Sequence, residues 1–259
     1  MAIPQAQTAW LNKVPEITLV FWLIKMMSTT VGETAADFLN MDLHFGLTIT
    51  SIVTGILLAV SLFCQMRATR YQPVLYWLTV VFISVFGTLI TDNLTDAWNV
   101  PLVLSSLVFS LILLVIFVVW YRREGTLSIH HIDSRSRETF YWLAILATFA
   151  LGTAVGDWLA ESVNLGYYGA AAFFGTWILI VAGACFIFKA NRVFCFWAAY
   201  ILTRPFGAAC GDLLSQPVDN GGIGLGANLT SLIFGVAIAL MIMGLVVSDW
   251  RKRGAESQG

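Results

Sequence analysis

Four aspartates recur at one spacing in this chain, and carboxylates repeated in an apolar setting can hold a cation or a proton. Asp37, Asp92, Asp157 and Asp212 each lie five residues after a glycine (Gly32, Gly87, Gly152, Gly207). Each glycine lies ten residues after a tryptophan (Trp22, Trp77, Trp142, Trp197) that itself follows Phe or Tyr, and a Leu stands two residues past each Asp. The pattern Phe/Tyr-Trp-x9-Gly-x4-Asp-x-Leu, held four times at identical spacing, is an internal repeat. Carboxylate oxygens suit hard ions such as Mn²⁺ or Mg²⁺. Cys64, Cys185, Cys195 and Cys210 show no C-x-x-C spacing, which argues against a soft-metal centre.

The repeats are not equivalent. Glu33 directly follows the first glycine, where the others have Thr88, Thr153 and Ala208. Glu33 and Asp37 are one helical turn apart and share a face, so they could share a cation or a proton. Lys25 and Arg204 are the only basic residues inside apolar runs, and Arg204 stands three residues before Gly207. The expected ion-binding and metal-ligating residues are therefore Glu33, Asp37, Asp92, Asp157 and Asp212, with Lys25 and Arg204 compensating their charge. The glycines carry a different expectation. Each is followed four residues later by a small residue (Ala36, Thr91, Gly156, Gly211), a face on which helices pack backbone to backbone.

The elements that must position these groups are membrane helices. The chain of 259 residues is 58% hydrophobic and only 11% charged, with a mean hydropathy of +0.81, far from the balance of a soluble domain. Stretches such as Gly46 to Cys64, Val74 to Ile90, Leu102 to Trp120 and Ile223 to Val247 are nearly free of charge and long enough to cross ~30 Å of hydrocarbon. Alternation of the kind that marks a membrane barrel is absent. The expected fold is an all-α polytopic membrane protein of about eight transmembrane helices, arranged as four parallel two-helix repeats in one membrane domain. The repeats run approximately 13–66, 72–121, 137–190 and 192–250. The Trp to Trp intervals, 22 to 77, 77 to 142 and 142 to 197, place ten extra residues in the middle, in a polar linker at 121–138.

Basic residues set the expected topology. Of 14 Lys and Arg, the twelve outside the helices (Lys13, Arg67, Arg70, Arg122, Arg123, Arg135, Arg137, Lys189, Arg192, Arg251, Lys252, Arg253) fall between repeats or near the termini, and none in the turns within repeats. Both termini are therefore expected on the cytoplasmic side. The amino end shows no basic region leading into an apolar core and a cleavage site, so no signal peptide is expected. Trp22, Trp77, Trp142 and Trp197 fall near the basic ends, where an indole suits the headgroup region, and each Asp follows about 22 Å further along an ideal helix.

No H-E-x-x-H, G-x-S-x-G or other catalytic arrangement occurs, so no enzyme activity and no cofactor are expected. There is no ATP-binding motif, and no basic stripe for nucleic acid. The function these residues favour is secondary transport of small cations, divalent metal first, with proton exchange as the coupling. A passive ion channel, and a non-transporting scaffold or accessory subunit, are the alternatives. The expected partners are the lipid bilayer and the small cation, and homo-oligomerisation is left open.

The four Trp residues, with the Gly and Asp that follow each, resemble a bacterial family of membrane-anchored proteins built from a repeat of unknown function, in which each copy contributes two transmembrane helices. The resemblance runs from about Lys13 to Trp250. It implies the fold and a location in the inner membrane of a bacterium, and carries no activity that could be transferred to particular residues. Glu33, which has no acidic counterpart in repeats two to four, departs from strict fourfold equivalence.

Overall fold

Each element begins and ends on a local signal. In the computed structural model, which describes residues 13–256, the long helices are α1 (Leu19–Asp37), α2 (Gly46–Arg67), α3 (Pro73–Asp92), α4 (Leu102–Glu124), α5 (Arg135–Asp157), α6 (Gly166–Phe186), α7 (Arg192–Ser215) and α8 (Ala227–Glu256). The first twelve residues, on which the signal-peptide expectation rested, lie outside the described residues. Thr18, Ser134 and Asn191 cap the starts of α1, α5 and α7 with side-chain oxygens, and Pro73 opens α3, where its missing N–H costs nothing. Gly125, at φ +73°, ends α4 in the left-handed conformation that glycine adopts freely.

The turn within each of the first three repeats is the same structure. After Asp37, Asp92 and Asp157 come five-residue π-helical turns, Phe38–Asp42, Asn93–Ala97 and Trp158–Ser162. His44, Asn99 and Asn164 then turn the chain at φ +57°, +54° and +59°. The Leu of the repeat pattern closes the turn through its carbonyl, which accepts from the backbone N–H of Phe45 (3.3 Å), Val100 (2.8 Å) and Leu165 (3.2 Å) at Leu39, Leu94 and Leu159. Repeat four replaces this turn with the glycine-rich stretch after Ser215, which folds back so that Ile223 N–H donates to Leu213 O at 2.7 Å.

The helices form two concentric layers. The first helix of each repeat joins an inner ring in the order α1, α3, α5, α7 and back to α1, and each second helix packs outside the inner helix of the following repeat: α2 on α3, α4 on α5, α6 on α7, and α8 on α1. The inner helices α3, α5 and α7 have 61%, 72% and 56% of their apolar windows buried, against 22% or less for the outer four. The outer helices expose Ile56, Leu107, Leu179, Leu240 and similar side chains, as a lipid-facing surface does. Among the described residues seven of the eight long helices are both long and apolar enough to span a membrane. The exception, α1, buries Lys25, Ser28, Thr29, Thr30, Glu33 and Thr34 against protein, so its polarity never faces lipid.

The repeated glycines and aromatics lock this ring cyclically. A β-carbon at Gly32 would strike Ser84, at Gly87 Phe149, at Gly152 Arg204, and at Gly207 Thr29. All four struck residues occupy one position, three before the glycine of the next repeat, so each glycine is the seat of its neighbour's side chain. The aromatic layer closes in the same sense: Phe21 meets Trp77 (5.4 Å between ring centroids), Tyr76 meets Trp142 (5.4 Å), Tyr141 meets Trp197 (6.3 Å) and Phe196 meets Trp22 (5.7 Å). Trp77, Trp142 and Trp197 are buried and Trp22 is half-buried. Their expected role as headgroup anchors gives way to packing between repeats, because the ring needs a large flat side chain at each seam.

Tyr76 and Tyr141 share a 2.5 Å hydrogen bond between buried hydroxyls, at the positions where repeats one and four have Phe21 and Phe196. Tyr76→Phe is expected to destabilise the protein by about 1–3 kcal/mol by stranding the Tyr141 hydroxyl, while Tyr76→Phe with Tyr141→Phe regains most of that loss. Denaturant unfolding in micelles, compared across the three proteins, checks this.

Candidate functional site

One layer beyond the glycines, the side chains at the position of Glu33 meet on the axis. Arg204 extends from α7 and its Nη2 donates to Oε2 of Glu33 on α1 (2.9 Å), to Oγ1 of Thr153 on α5 (2.7 Å) and to Oγ1 of Thr88 on α3. Thr88 also donates to Glu33 Oε2 at 3.3 Å. A side chain on one ring helix that touches all three others must be central, and Arg204 is fully buried. The fourth repeat has Ala208 at this position, which leaves the corner free for the guanidinium rising from one turn below. Among the described residues Nε and Nη1 of Arg204 have no hydrogen-bond partner, and the group lies 5.5 Å from the centre of the Phe149 ring, which offers a π face to the charge.

Above this plug the carboxylates converge. Ligand oxygens of Glu33, Asp157 and Asp212 all lie within 4.8 Å of one another. Two ligands of one ion at ~2.0–2.5 Å can be no further apart than twice that distance, so the three oxygens fit a single hard cation. Glu33 belongs to both groups: among the described residues both of its side-chain hydrogen bonds fall on Oε2, and Oε1 takes none. Of the expected residues, Asp157 and Asp212 join Glu33, whereas Asp37 and Asp92 stay half-buried outside the group. The five expected acids thus divide into a group of three from α1, α5 and α7 and two that stand outside it, because Glu33 reaches the axis one turn deeper than Asp37.

Lys25 does not pair with the carboxylates. Its Nζ is buried on the other side of Arg204, donating to Tyr200 O (3.0 Å) and Thr203 Oγ1 (2.5 Å) with the Tyr200 ring 4.6 Å away. Among the described residues it makes no salt bridge. Thr88 and Thr153 were visible in the sequence only as the counterparts of Glu33, and that shared position was the signal of their role. The pair of half-buried Lys13 and buried Glu138, 2.6 Å apart, had no signal in the sequence beyond charge.

A ring of four membrane helices with a charged plug on its axis and acids gathered at one end defines the class: an all-helical, multi-pass membrane protein of internal repeats. The chain belongs to the family described as Repeat of Unknown Function (DUF347), whose repeat matches residues 20–71, 75–126, 140–191 and 195–249. No curated protein and no solved structure matches it.

Proposed function

We propose that this protein is a secondary transporter of small cations, divalent metal before monovalent, exchanging them for protons across a bacterial inner membrane. The basic ends of the helices face the cytoplasm in this reading, so the acids face outward. The observation that carries it is the convergence of Glu33, Asp157 and Asp212 within 4.8 Å directly above Arg204. Arg204 neutralises Glu33 when no substrate is bound, and an arriving cation competes with the guanidinium for that carboxylate. Since Arg204, Lys25 and the Tyr76–Tyr141 pair fill the interior of the ring, a carrier that changes conformation is favoured over a continuously conducting channel.

Flux into proteoliposomes, measured for Mn²⁺, Mg²⁺, Ca²⁺ and Na⁺ under an imposed pH gradient, tests the proposal. Saturable divalent flux is expected, with Asp157→Asn and Asp212→Asn each lowering it at least tenfold, worth about 1.4 kcal/mol. Asp37→Asn and Asp92→Asn are expected to have smaller effects. Flux of no cation, or flux that ignores Asp157 and Asp212, would move the protein to the scaffold reading.

A further inference from the structure

The ten residues that break the repeat period do not behave as a solvated linker. The helices on either side extend into the expected 121–138 span, leaving 125–134 between Glu124 and Arg135. Within it Ile129 and Ile132 are buried, in the same apolar core as Val14, Phe21, Tyr141 and Trp197. The segment is held from several directions. Leu127 O accepts from Trp197 Nε1 on α7 at 3.0 Å, and Ile132 O accepts from Lys13 N–H at 3.4 Å. Lys13 Nζ in turn donates to Glu138 Oε2 on α5 at 2.6 Å and to Met66 O at the end of α2 at 3.2 Å. The strap and Lys13 together therefore tie α5, α7, the lead-in to α1 and the end of α2 at the basic end of the ring.

We infer that residues 125–134 form the inner gate of the transport path, latched by the ion pair of Lys13 and Glu138. The inference rests on the carrier reading, since a carrier must close at one end while the other is accessible. The ring helices are poor candidates for that movement, because each glycine seat would have to be vacated at once. The strap is held by far less. The salt bridge that latches it has a partly wet member in Lys13, with 15% of its side chain exposed, and a buried one in Glu138, whose Oε1 has no hydrogen-bond partner among the described residues; the strap's own Asp133 pairs locally with Arg137 in the first turn of α5 at 3.2 Å. A buried carboxylate with an unpaired oxygen is costly, which brings the latched and released states closer in free energy. Release breaks the Lys13–Glu138 pair, the hydrogen bonds to Leu127 O and Ile132 O and the apolar contacts of Ile129 and Ile132, while the glycine seats of the ring stay occupied.

The test is thiol labelling in nanodiscs, where both faces are accessible. Cys64, Cys185, Cys195 and Cys210 are replaced by Ala, and Ile132→Cys is added as the reporter. Slow labelling by a charged maleimide is expected with the latch intact, rising at least tenfold in Lys13→Ala or Glu138→Gln. Lys13→Glu combined with Glu138→Lys should return it to the slow rate. Hydrogen exchange of residues 125–134, in wild type against Lys13→Ala, reads the same release without any cysteine change. A reporter that labels as fast as one placed by His130→Cys, on an exposed residue, or rates indifferent to the latch, would overturn the gate. Latch-dependent labelling in a protein that carries no cation would sink the carrier reading and with it the transport role of the strap. Cation flux with latch-indifferent labelling would sink the gate alone.

Discussion

Arg204→Ala is expected to destabilise the folded protein by about 3–5 kcal/mol, the usual cost of breaking a buried ion pair by removing one partner. The reason is what stays behind. Glu33, only 6% exposed, would be left beside Asp157 and Asp212 without its ion-pair partner, and the hydroxyls of Thr88 and Thr153 would lose a shared donor. Arg204→Lys is not a conservative change here, because a point charge on a flexible stem does not reproduce the planar group that reaches three oxygens. Arg204→Met combined with Glu33→Gln removes both charges, and is expected to regain more than half of the loss. Reversible unfolding in mixed micelles, followed by tryptophan fluorescence, measures all three variants. A loss below 1 kcal/mol for Arg204→Ala would mean that Glu33 is not held as a buried anion.

Gly152→Leu is expected to cost about 3 kcal/mol and to scatter the site with the fold. The new β-carbon would land within Arg204 Cβ and Cγ and 3.0 Å from Pro205 Cδ. None of these can yield, since Arg204 is tethered at its far end and Pro205 is rigid. Helices α5 and α7 would have to part, taking Asp157 away from Asp212. Gly183→Leu is the control: nothing lies within 4 Å of its built β-carbon, so the substitution projects into lipid. Yield of monodisperse protein and the unfolding midpoint should separate the two variants. Equal stability would show that the glycine seats are not what holds the ring together.

Much of this architecture could be read along the chain. The Trp, Gly and Asp spacing counted the repeats and placed small residues where helices touch. Glu33 stood out as the break in equivalence, and it is the residue on which the axial layer turns. Other expectations were revised. The Trp residues looked like headgroup anchors because position along a helix says nothing about which way the ring points. The segment after α4 looked polar by composition, yet Ile129 and Ile132 are its buried members. Asp37 and Asp92 carry the same pattern as Asp157 and Asp212 but do not join them.

What the sequence by itself determined is therefore periodic: helical class, repeat number, the parallel arrangement of the repeats, and the segregation of basic residues to one end. These depend on residues a few positions apart, whose relation a helix preserves. Tertiary structure alone decided which carboxylates meet, that Arg204 fills the corner left by Ala208, and that Lys25 stands apart from the acids. Those outcomes join residues as distant in sequence as Glu33 and Arg204, 171 positions apart. They are set by the rotation of each helix in a ring closed by all four repeats at once, and no local spacing records that rotation.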